Sequence, residues 1–397
     1  MKILFVIPYF IPAYSYGGPL QVCFETARAL RRKGYEITVA TTDVLDDKHR
    51  VRALEETVEG VRIVRFRNVS NRLAKRCNGY LPLGFYSWLA RNLDRYDAVH
   101  CHDFFTYQNL VVSRLCRKKN VPYIIQPHGA LSMVRQQARF YRIKVFFISL
   151  FKTALINAKK LIALTQTEKK EILALGHIKE ENIEIVPNGI DTAKFERAVK
   201  IDLHEKYGIP RENSIIGYIG RLQYIKGVDI SLEVLYKLKG LVFFTYLIIG
   251  PDEGVKTSLM NKARSLGLEG NVVFTGLLEG DEKLSVLKSC DLCLFMSRAE
   301  GLPMTVLECA ALGVPQILSS NCNVPEIEAS GAGFVFDLDR KEAAAEKIRG
   351  LLADKDALRA LSRNSIALAR STFDISMTTR KMEDIILKLK GADNGKL

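Results

Sequence analysis

The sequence of 397 residues predicts an α/β protein that contains two open parallel sheets. The first observation is a series of short apolar segments, starting with Lys2 to Pro8, that are typical of strands buried on both faces. The second is that helical or loop stretches separate these segments, which is the order of a parallel sheet. The third is a polar connection over residues 192–213, after which a second series of apolar segments begins at Ser214.

The individual elements follow from hydrophobic periodicity. After the first strand, Leu20, Cys23, Phe24, Ala27 and Leu30 keep helical spacing. Further strands are predicted at Tyr35 to Thr41, Val61 to Phe66, Asp97 to His100, Val121 to Gln126 and Asn182 to Pro187 in the first half, and at Ser214 to Ile219, Leu241 to Ile249, Val272 to Thr275, Asp291 to Met296 and Gly333 to Phe336 in the second. Helices are predicted at Asp202 to Tyr207 and Ser371 to Lys390, with a helical region from Lys341 to Arg370 between them.

Composition restricts the class of partner. Hydrophobic residues make up 48% of the chain and charged residues 26%, as in globular proteins, but the net charge of +14 favours an acidic partner. No zinc-finger spacing or RNP-like aromatic pattern is present, so nucleic acid is not an expected partner. The first apolar run is broken by Pro8 and Pro12, so a signal peptide is not expected. The longest apolar tract, Val145 to Phe151, is too short to span a bilayer, so a transmembrane helix is not expected either.

Metal binding is not expected either. The eight cysteines are scattered, and Cys290-Asp-Leu-Cys293 has no second pair, so we expect reduced, buried thiols. Asp337-Leu-Asp339 lies between a predicted strand and a predicted helix, where Asp339 is most simply an N-cap.

The residues from Ser297 to Pro315 predict an anion site. Glu300 lies on a loop bounded by Gly and Pro, Pro303 falls in the first turn of a helix, and Glu308 follows about one and a half turns later, before the helix ends at Gly313. The unpaired N–H groups and the dipole of a helix N-terminus attract anions. A sugar nucleotide suits this arrangement, because its pyrophosphate can meet the helix end while each carboxylate accepts hydrogen bonds from hydroxyls.

Glu300-Gly-Leu-Pro, then Glu308 and Gly313-Val-Pro, resembles the retaining GT-B glycosyltransferases with the Glu-x7-Glu motif, known as glycosyltransferase family 4. The resemblance implies that Glu300 binds hydroxyls of the donor sugar and acts in catalysis, and that Glu308 binds the ribose of the nucleotide. It also places a short run beside Glu300 among the donor contacts, namely Gly301, Leu302, Pro303 and Met304.

A second set of residues fits the donor phosphates. Gly220-Arg221 and Lys226 follow a predicted strand, and a planar guanidinium with a mobile ammonium makes a sensible pair for two phosphates, although the spacing is not that of a P-loop. The resemblance implies that Arg221 and Lys226 bind the diphosphate and stabilise it as it leaves. It also implies that the loop of Gly17 and Gly18, which lacks the Gly-x-Gly-x-x-Gly of oxidoreductases, closes over the phosphate, and that the backbone of Leu277 and Leu278 contacts the base.

Three residues of the first half are candidates for the reacting groups. His128 follows a predicted strand in Pro-His-Gly, and the resemblance implies that it touches the donor sugar near the reacting carbon. His102 and Asp103 follow another strand, where they act either in proton transfer or as a cap of the next helix. The resemblance places His102 and Asp103 on the acceptor side.

Two runs without acidic residues suggest a membrane surface as a partner. Leu131 to Lys160 contains seven Lys or Arg among aromatic residues, and Arg62 to Arg76 contains six. Such segments are typical of helices on anionic lipid, although a packed aromatic helix with a solvated basic face has the same composition. We place peripheral docking to an anionic membrane slightly ahead, because both runs fall in the half expected to bind the acceptor.

The resemblance implies a GT-B fold, in which two Rossmann-like domains face each other across a cleft and the C-terminal helix crosses back to the first. We expect an acceptor domain at 1–191, a donor domain at 192–371 and the crossover helix at 372–397. The implied reaction moves a hexosyl group from a nucleoside-diphosphate sugar to a hydroxyl of a glycan or lipid-linked acceptor in polysaccharide biosynthesis. It retains anomeric configuration and uses neither metal nor cofactor. The expected location is the cytoplasm, at the inner face of its membrane.

Two other functions remain open from the sequence. A nucleotide-sugar epimerase of the same fold would release free sugar without an acceptor. A non-catalytic subunit that binds nucleotide sugar or membrane is the second, and the presence of Glu300, Glu308, Arg221 and Lys226 argues against it.

Overall fold

A computed structural model describes residues 1–77, 79–131 and 151–391. The chain forms two compact units, one made of Met1–Gly189 together with the segment that begins at Ile375, and the other of Ile190–Asp374. Each unit contains one sheet of mainly parallel strands with helices between them, so the prediction of two Rossmann-like α/β domains is confirmed. The chain passes between the units at Ile190 and at Ile375, a few residues from the positions expected from the sequence.

The sheet of the first unit has eight strands in the order β3-β4-β2-β1-β5-β6-β7-β8. All neighbours are parallel except the edge strand β3, which pairs antiparallel with β4. The strands are β1 Lys2–Val6, β2 Glu36–Thr42, β3 Glu55–Val58, β4 Val61–Phe66, β5 Ala98–His102, β6 Tyr123–Gln126, β7 Lys160–Ala163 and β8 Ile183–Ile185. The sequence did not predict β3, whose Glu-Glu-Thr-Val lacks a buried face, or the short strand β7.

The sheet of the second unit has six strands in the order β11-β10-β9-β12-β13-β14, which is the order of a dinucleotide-type Rossmann sheet. All of its neighbouring strands are parallel. The strands are β9 Ser214–Ile219, β10 Phe244–Ile249, β11 Val272–Gly276, β12 Leu292–Phe295, β13 Gln316–Ser319 and β14 Gly333–Phe336.

The helices connect these strands. In the first unit they are α1 Gly18–Arg32, α2 Asn71–Cys77, α3 Phe85–Asn92, α4 Tyr107–Lys119 and α5 Gln166–Ala174, with a further helical segment at residues 151–157. In the second they are α6 Thr192–Glu196, α7 Leu203–Tyr207, α8 Val228–Tyr236, α9 Lys256–Ser265, α10 Gly280–Lys288, α11 Met304–Leu312, α12 Glu326–Ala329, α13 Lys341–Ala353 and α14 Lys355–Leu368, and α15 Ile375–Gly391 completes the first.

The structure adds detail to one prediction near the C-terminus and corrects another. The helical region expected from Lys341 to Arg370 consists of two helices that meet at Asp354, whose side chain accepts hydrogen bonds from the N–H groups of Asp356 and Ala357. Asp339 is not the N-cap of α13, since Arg340 occupies that position.

The core explains why the last helix belongs to the first unit. Alternate residues of β1 enter two hydrophobic clusters, one on each face of the sheet, with Ile3 in one and Leu4 in the other. Met382 and Ile386 of α15 lie in the same cluster as Ile3. The hydroxyl of Tyr35 also donates to Glu383 across 3.0 Å. The C-terminal helix therefore crosses back to the first sheet, as expected.

Within the described ranges, no helix combines the length and apolar character needed to cross a bilayer. Most of the basic run from Leu131 to Lys160 lies outside the described residues.

Strand order fixes where the candidate site forms. In an open parallel sheet, ligands bind at the carboxyl ends of the strands, where the strand order reverses. In the second unit this point lies between β9 and β12, which are neighbours in the sheet. In the first unit it lies between β1 and β5.

Candidate functional site

The central contact of the second unit joins the loops that follow β9 and β12. The Nζ atom of Lys226 lies 2.5 Å from Oε1 of Glu300, and the hydroxyl of Ser297 donates to the same oxygen across 3.0 Å. The Glu300 side chain is buried, whereas Lys226 keeps one side to solvent. The sheet thus unites two charges that are far apart in sequence.

The backbone of Glu300 is fixed as firmly as its side chain. Its N–H donates to the carbonyl of Asn321 across 3.0 Å, and the side chain of Asn323 donates to its carbonyl across 2.7 Å. Asn323 adopts the left-handed conformation, with φ 57°. Asn323 is therefore part of the support of Glu300.

A glycine sets the position of Lys226. Gly227 has φ 63°, and a Cβ atom there would lie 1.8 Å from the carbonyl oxygen of Met296. Only a glycine lets this loop lie so close to the end of β12, where Glu300 follows. The backbone at Gly227 therefore determines the approach of Lys226 to Glu300.

Replacing Gly227 by alanine should disrupt the site. Because the new methyl group would clash with backbone and the φ value is strained, we expect the free energy of unfolding to fall by about 2 kcal/mol or more and Lys226 to move away from Glu300. Urea unfolding measures the first effect and nucleotide affinity the second. Gly270→Ala is the matched control, since a Cβ atom there would meet nothing within 4 Å, and equal stability of the two variants would contradict the argument.

Arg298 holds the loop of Lys226 in place, and sequence reasoning missed it. Its guanidinium makes two hydrogen bonds to the carboxylate of Asp229, at 2.8 and 2.6 Å, and a third to the carbonyl of Tyr224 at 2.6 Å. It also lies 3.8 Å from the centre of the Tyr224 ring. The paired carboxylate raises the pKa of Arg298 above its usual value. An arginine next to Ala-Glu-Gly was visible in the sequence, but nothing there indicated its partner.

Helix α11 carries the second glutamate. The helix begins at Met304, so Pro303 precedes it instead of lying in its first turn, and Glu308 is about one turn from the start. Gly313, with φ 70°, ends the helix as predicted. The buried carboxylate of Glu308 accepts hydrogen bonds from Lys283 of α10 at 2.9 Å on each oxygen. No feature of the sequence singled out Lys283.

Arg221 is held differently from Lys226. It follows Gly220 after β9, and its guanidinium donates to Glu253 across 3.2 Å. The side chain of Gln223 donates to the same carboxylate. Arg221 therefore pairs with a carboxylate from the loop that follows β10.

A small pocket surrounds the Lys226 and Glu300 pair. It combines one cation, one carboxylate and hydroxyl groups with apolar walls, a mixture typical of polar small-molecule sites. It is lined by Tyr218, Ile219, Lys226, Phe295, Ser297, Glu300, Pro303, Thr305, Val306 and Cys322. Of the predicted donor contacts outside this pocket, Gly301, Leu302 and Met304 are buried, Leu278 is half-buried and Leu277 is exposed beyond β11.

The first unit unites two of the predicted histidines. His102 is the last residue of β5, and its Nδ1 atom lies 3.0 Å from Nε2 of His128, which follows β6. Both rings are buried, and they stack with 5.2 Å between their centres. Because one proton is shared between these two nitrogens, the tautomer of one ring fixes that of the other.

The turn at His128 is clamped by a residue that sequence reasoning missed. His128 and Gly129 both have positive φ values, 55° and 74°. The buried carboxylate of Glu168 accepts the N–H of Gly129 across 2.5 Å and the N–H of Leu164 across 2.7 Å. Glu168 therefore ties the ends of two neighbouring strands together and holds the backbone turn that carries His128.

The interpretation of Asp103 as a helix cap is wrong. Thr106 caps α4, and its hydroxyl accepts the N–H of Asn109. Asp103 has φ 69°, and its carboxylate accepts the N–H of Phe104 across 2.6 Å.

Gly17 precedes α1 with φ 97°, and Gly18 is the first residue of that helix rather than part of the loop.

The buried histidines predict a loss of stability in weak acid. Burial lowers the pKa of His100 and of His128 to about 3, and burial together with repulsion from His100 and His128 lowers that of His102 well below its usual value. The unfolded chain takes up these protons near pH 6.5, whereas the folded chain does not, so stability falls as the pH falls below about 6.5.

Each of the three histidines should cost up to about 1.4 kcal/mol of stability per pH unit in that range. Urea unfolding at about pH 7.5 and about pH 5.5 measures the effect before most carboxylates titrate. His102→Gln should reduce the pH dependence, whereas His177→Gln, at an exposed position, should leave it unchanged. Stability that does not change over this range would contradict the burial of neutral imidazoles.

No cluster of three His, Cys, Asp or Glu side chains within the described ranges could hold a metal ion. Cys290 and Cys293 are buried free thiols. Asp337 accepts a hydrogen bond from Ser320 across 2.6 Å.

Comparisons with known proteins give matches to both halves of the chain. The protein-family model "Glycosyltransferase Family 4" matches residues 16–194, and the family model "Glycosyl transferases group 1" matches residues 199–367. An uncharacterized glycosyltransferase of Methanocaldococcus jannaschii is 24% identical over 80% of each chain. The UDP-Gal:alpha-D-GlcNAc-diphosphoundecaprenol alpha-1,3-galactosyltransferase of Escherichia coli is 23% identical over 75% of this chain and 76% of its own.

Solved structures share the fold over nearly the whole chain. Sucrose-phosphate synthase from Thermosynechococcus elongatus has a TM-score of 0.79 at 18% identity, over 98% of this chain and 99% of its own. HepE from Anabaena in complex with UDP-glucose has a TM-score of 0.73 at 19% identity, over 98% of this chain and 100% of its own. With one family model on each half of the chain, and with two Rossmann-like units, the protein is a GT-B glycosyltransferase of the family 4 type.

Proposed function

We propose that this glycosyltransferase moves a hexosyl group from a nucleoside-diphosphate sugar to a hydroxyl of a glycan or lipid-linked glycan, with retention of anomeric configuration and without a metal or cofactor. The observation that carries the proposal is the contact between Lys226 and Glu300 beside the N-terminus of α11. A cation and a helix end suit the diphosphate, and the neighbouring carboxylate suits the sugar hydroxyls.

The ion pairs suggest how donor binding prepares the site. A diphosphate is a stronger acceptor for Lys226 than one carboxylate, so it draws the ammonium away and leaves Glu300 to accept sugar hydroxyls. In the same way the ribose displaces Lys283 from Glu308, and the diphosphate competes with Glu253 for Arg221. The backbone of Leu277 and Leu278 lies against the base, and the backbone from Gly301 to Met304 against the diphosphate and sugar.

The chemical step that we propose uses these groups in place of a metal. The bond between the anomeric carbon and the diphosphate oxygen breaks, and Arg221, Lys226 and the helix N-terminus stabilise the developing negative charge. The acceptor oxygen bonds to the same face of that carbon, and its proton passes to the departing phosphate. His128 orients the sugar near the reacting carbon, while Gly17 and Gly18 close over the phosphate.

The acceptor is proposed on two grounds. The name of the E. coli relative gives a diphosphoundecaprenol-linked sugar as its acceptor, and the family 4 model covers the half of this chain that contains His102 and Asp103. We place His102 and Asp103 on the acceptor side, where the shared proton of His102 and His128 fixes the ring orientation. An acceptor of this class would bring the protein to the cytoplasmic face of a membrane and into polysaccharide biosynthesis.

The proposal is tested in two steps. First, UDP-, GDP- and ADP-sugars are screened for the rise in melting temperature that a bound donor produces by mass action. Second, the best donor is incubated with a range of soluble glycan acceptors in excess EDTA, and NMR follows the anomeric proton. We expect a glycoside with the configuration of the donor. An inverted product, or transfer that needs added metal, would contradict the mechanism, and release of free sugar without an acceptor would indicate an epimerase.

A further inference from the structure

An exposed apolar surface lies on the first unit, on residues that carry none of the roles assigned above. Residues 67–69 and 81–83 pair as a short antiparallel ribbon, in which the N–H of Val69 donates to Leu81 across 3.1 Å and the N–H of Leu83 donates to Arg67 across 2.9 Å. We call this element the ribbon. Inward and outward side chains alternate along the ribbon, and three of the outward ones, Val69, Leu81 and Leu83, are apolar. A surface that faces only water usually carries polar side chains at such positions.

The two faces of the ribbon differ sharply. Asn68 and Pro82, which oppose each other, point inward and are buried. The side chains of the neighbouring pairs therefore point outward. The outward face and the residues beside it on α2 and α3 expose large apolar side chains by between 44% and 59%: Val69, Leu73, Leu81, Leu83 and Tyr86.

Basic residues accompany this apolar face, and acidic residues are missing from its sequence. Residues 60–93 contain seven Lys or Arg and no Asp or Glu. Arg67 on the ribbon and Arg72 on α2 are exposed. Two of the seven basic residues form ion pairs with strand β3, namely Arg62 with Glu55 and Arg65 with Glu56. The surface therefore presents leucines together with arginines and no carboxylate from its own segment.

We propose that the ribbon and its flanking residues Leu73 and Tyr86 insert into the headgroup region of an anionic membrane. Apolar side chains among basic ones match such a surface, in which the leucines enter the boundary with the acyl chains and the arginines meet anionic headgroups. A second copy of the chain fits less well, because a two-fold contact through this face would place the same arginines opposite each other without an acid. The inference rests on the proposed function, since a lipid-linked acceptor requires the enzyme to reach a bilayer.

The experiment compares binding of the full-length protein to phosphatidylcholine vesicles with and without phosphatidylglycerol. We expect sedimentation with the anionic vesicles only, and weaker binding in high salt. Leu81→Ser combined with Leu83→Ser should lower the bound fraction by about tenfold or more. The matched control, Leu241→Ser with Phe243→Ser, changes two apolar side chains of the second unit that are 61% and 71% exposed, and it should bind like the wild type.

Failure of this inference is distinguishable from failure of the proposed function. Each variant is also tested for the rise in melting temperature with a nucleoside diphosphate, which reports an intact second unit. Absence of lipid binding by the wild type, equal loss in the control, or a dimer that the Leu81 and Leu83 changes dissociate would overturn the membrane surface and leave the donor site standing. Absence of any nucleotide effect would instead remove the proposed function on which the inference rests.

Discussion

Replacing Glu300 by glutamine is expected to lower kcat for glycosyl transfer by about 10²- to 10³-fold, the cost of removing one preorganised polar contact to a transition state. Glutamine keeps the size of the side chain but offers a neutral oxygen and an N–H group where the hydroxyls and Lys226 both need an anion. We expect the melting temperature to change little, because Lys226 reaches solvent and the backbone contacts of Glu300 to Asn321 and Asn323 remain.

The control for this change is Glu269→Gln in the same unit. Glu269 pairs with Arg264, and both side chains are largely exposed, so its loss should affect neither transfer nor stability. Steady-state kinetics with the donor identified by thermal screening provides the measurement. Transfer by Glu300→Gln at the wild-type rate would remove Glu300 from the site.

Replacing Lys226 by methionine is expected to reduce both transfer and affinity for the nucleoside diphosphate. The ammonium is the proposed partner of the diphosphate as its charge develops, so we expect kcat to fall by about 10²-fold or more. Methionine keeps the apolar stem of lysine but not its charge. It also removes the ion pair between Lys226 and the buried carboxylate of Glu300, so a moderate loss of stability should accompany the loss of activity.

Lys262→Met separates this effect from the general loss of a surface charge. Lys262 pairs with Glu233, and Lys341 remains to balance that carboxylate. We expect its kinetics and nucleotide affinity to match those of the wild type. If Lys226→Met bound the nucleoside diphosphate as tightly as Lys262→Met does, the role of Lys226 would be wrong.

The sequence was sufficient for the fold because local signals agreed with the global pattern. Buried strands such as Lys2–Val6 and Ser214–Ile219 are apolar on both faces, and Gly313 ends its helix where predicted. The strand β3 was not predictable in this way. Its Glu-Glu-Thr-Val is exposed or half-buried at a sheet edge, so pairing with β4 and not its own composition makes it a strand.

The sequence predicted the charged residues at the centre of the candidate site but not the residues that hold them in place. Glu300 and Lys226 carry signals in their own neighbourhood, a helix start and a strand end, and strand order then brings them together. Lys283, Glu168 and Arg298 carry no such signal. Each acts through a partner that is distant in the sequence, such as Glu308 for Lys283 and Gly129 for Glu168, so only tertiary structure identifies them.

The most direct test of the donor site is a crystal structure of the protein with the nucleoside diphosphate that raises its melting temperature most. We predict that the diphosphate lies within hydrogen-bond distance of Lys226, Arg221 and the first N–H groups of α11, and that the ribose contacts Glu308 in place of Lys283. A nucleotide bound elsewhere, with the Lys226–Glu300 and Lys283–Glu308 ion pairs intact, would contradict the proposed donor site.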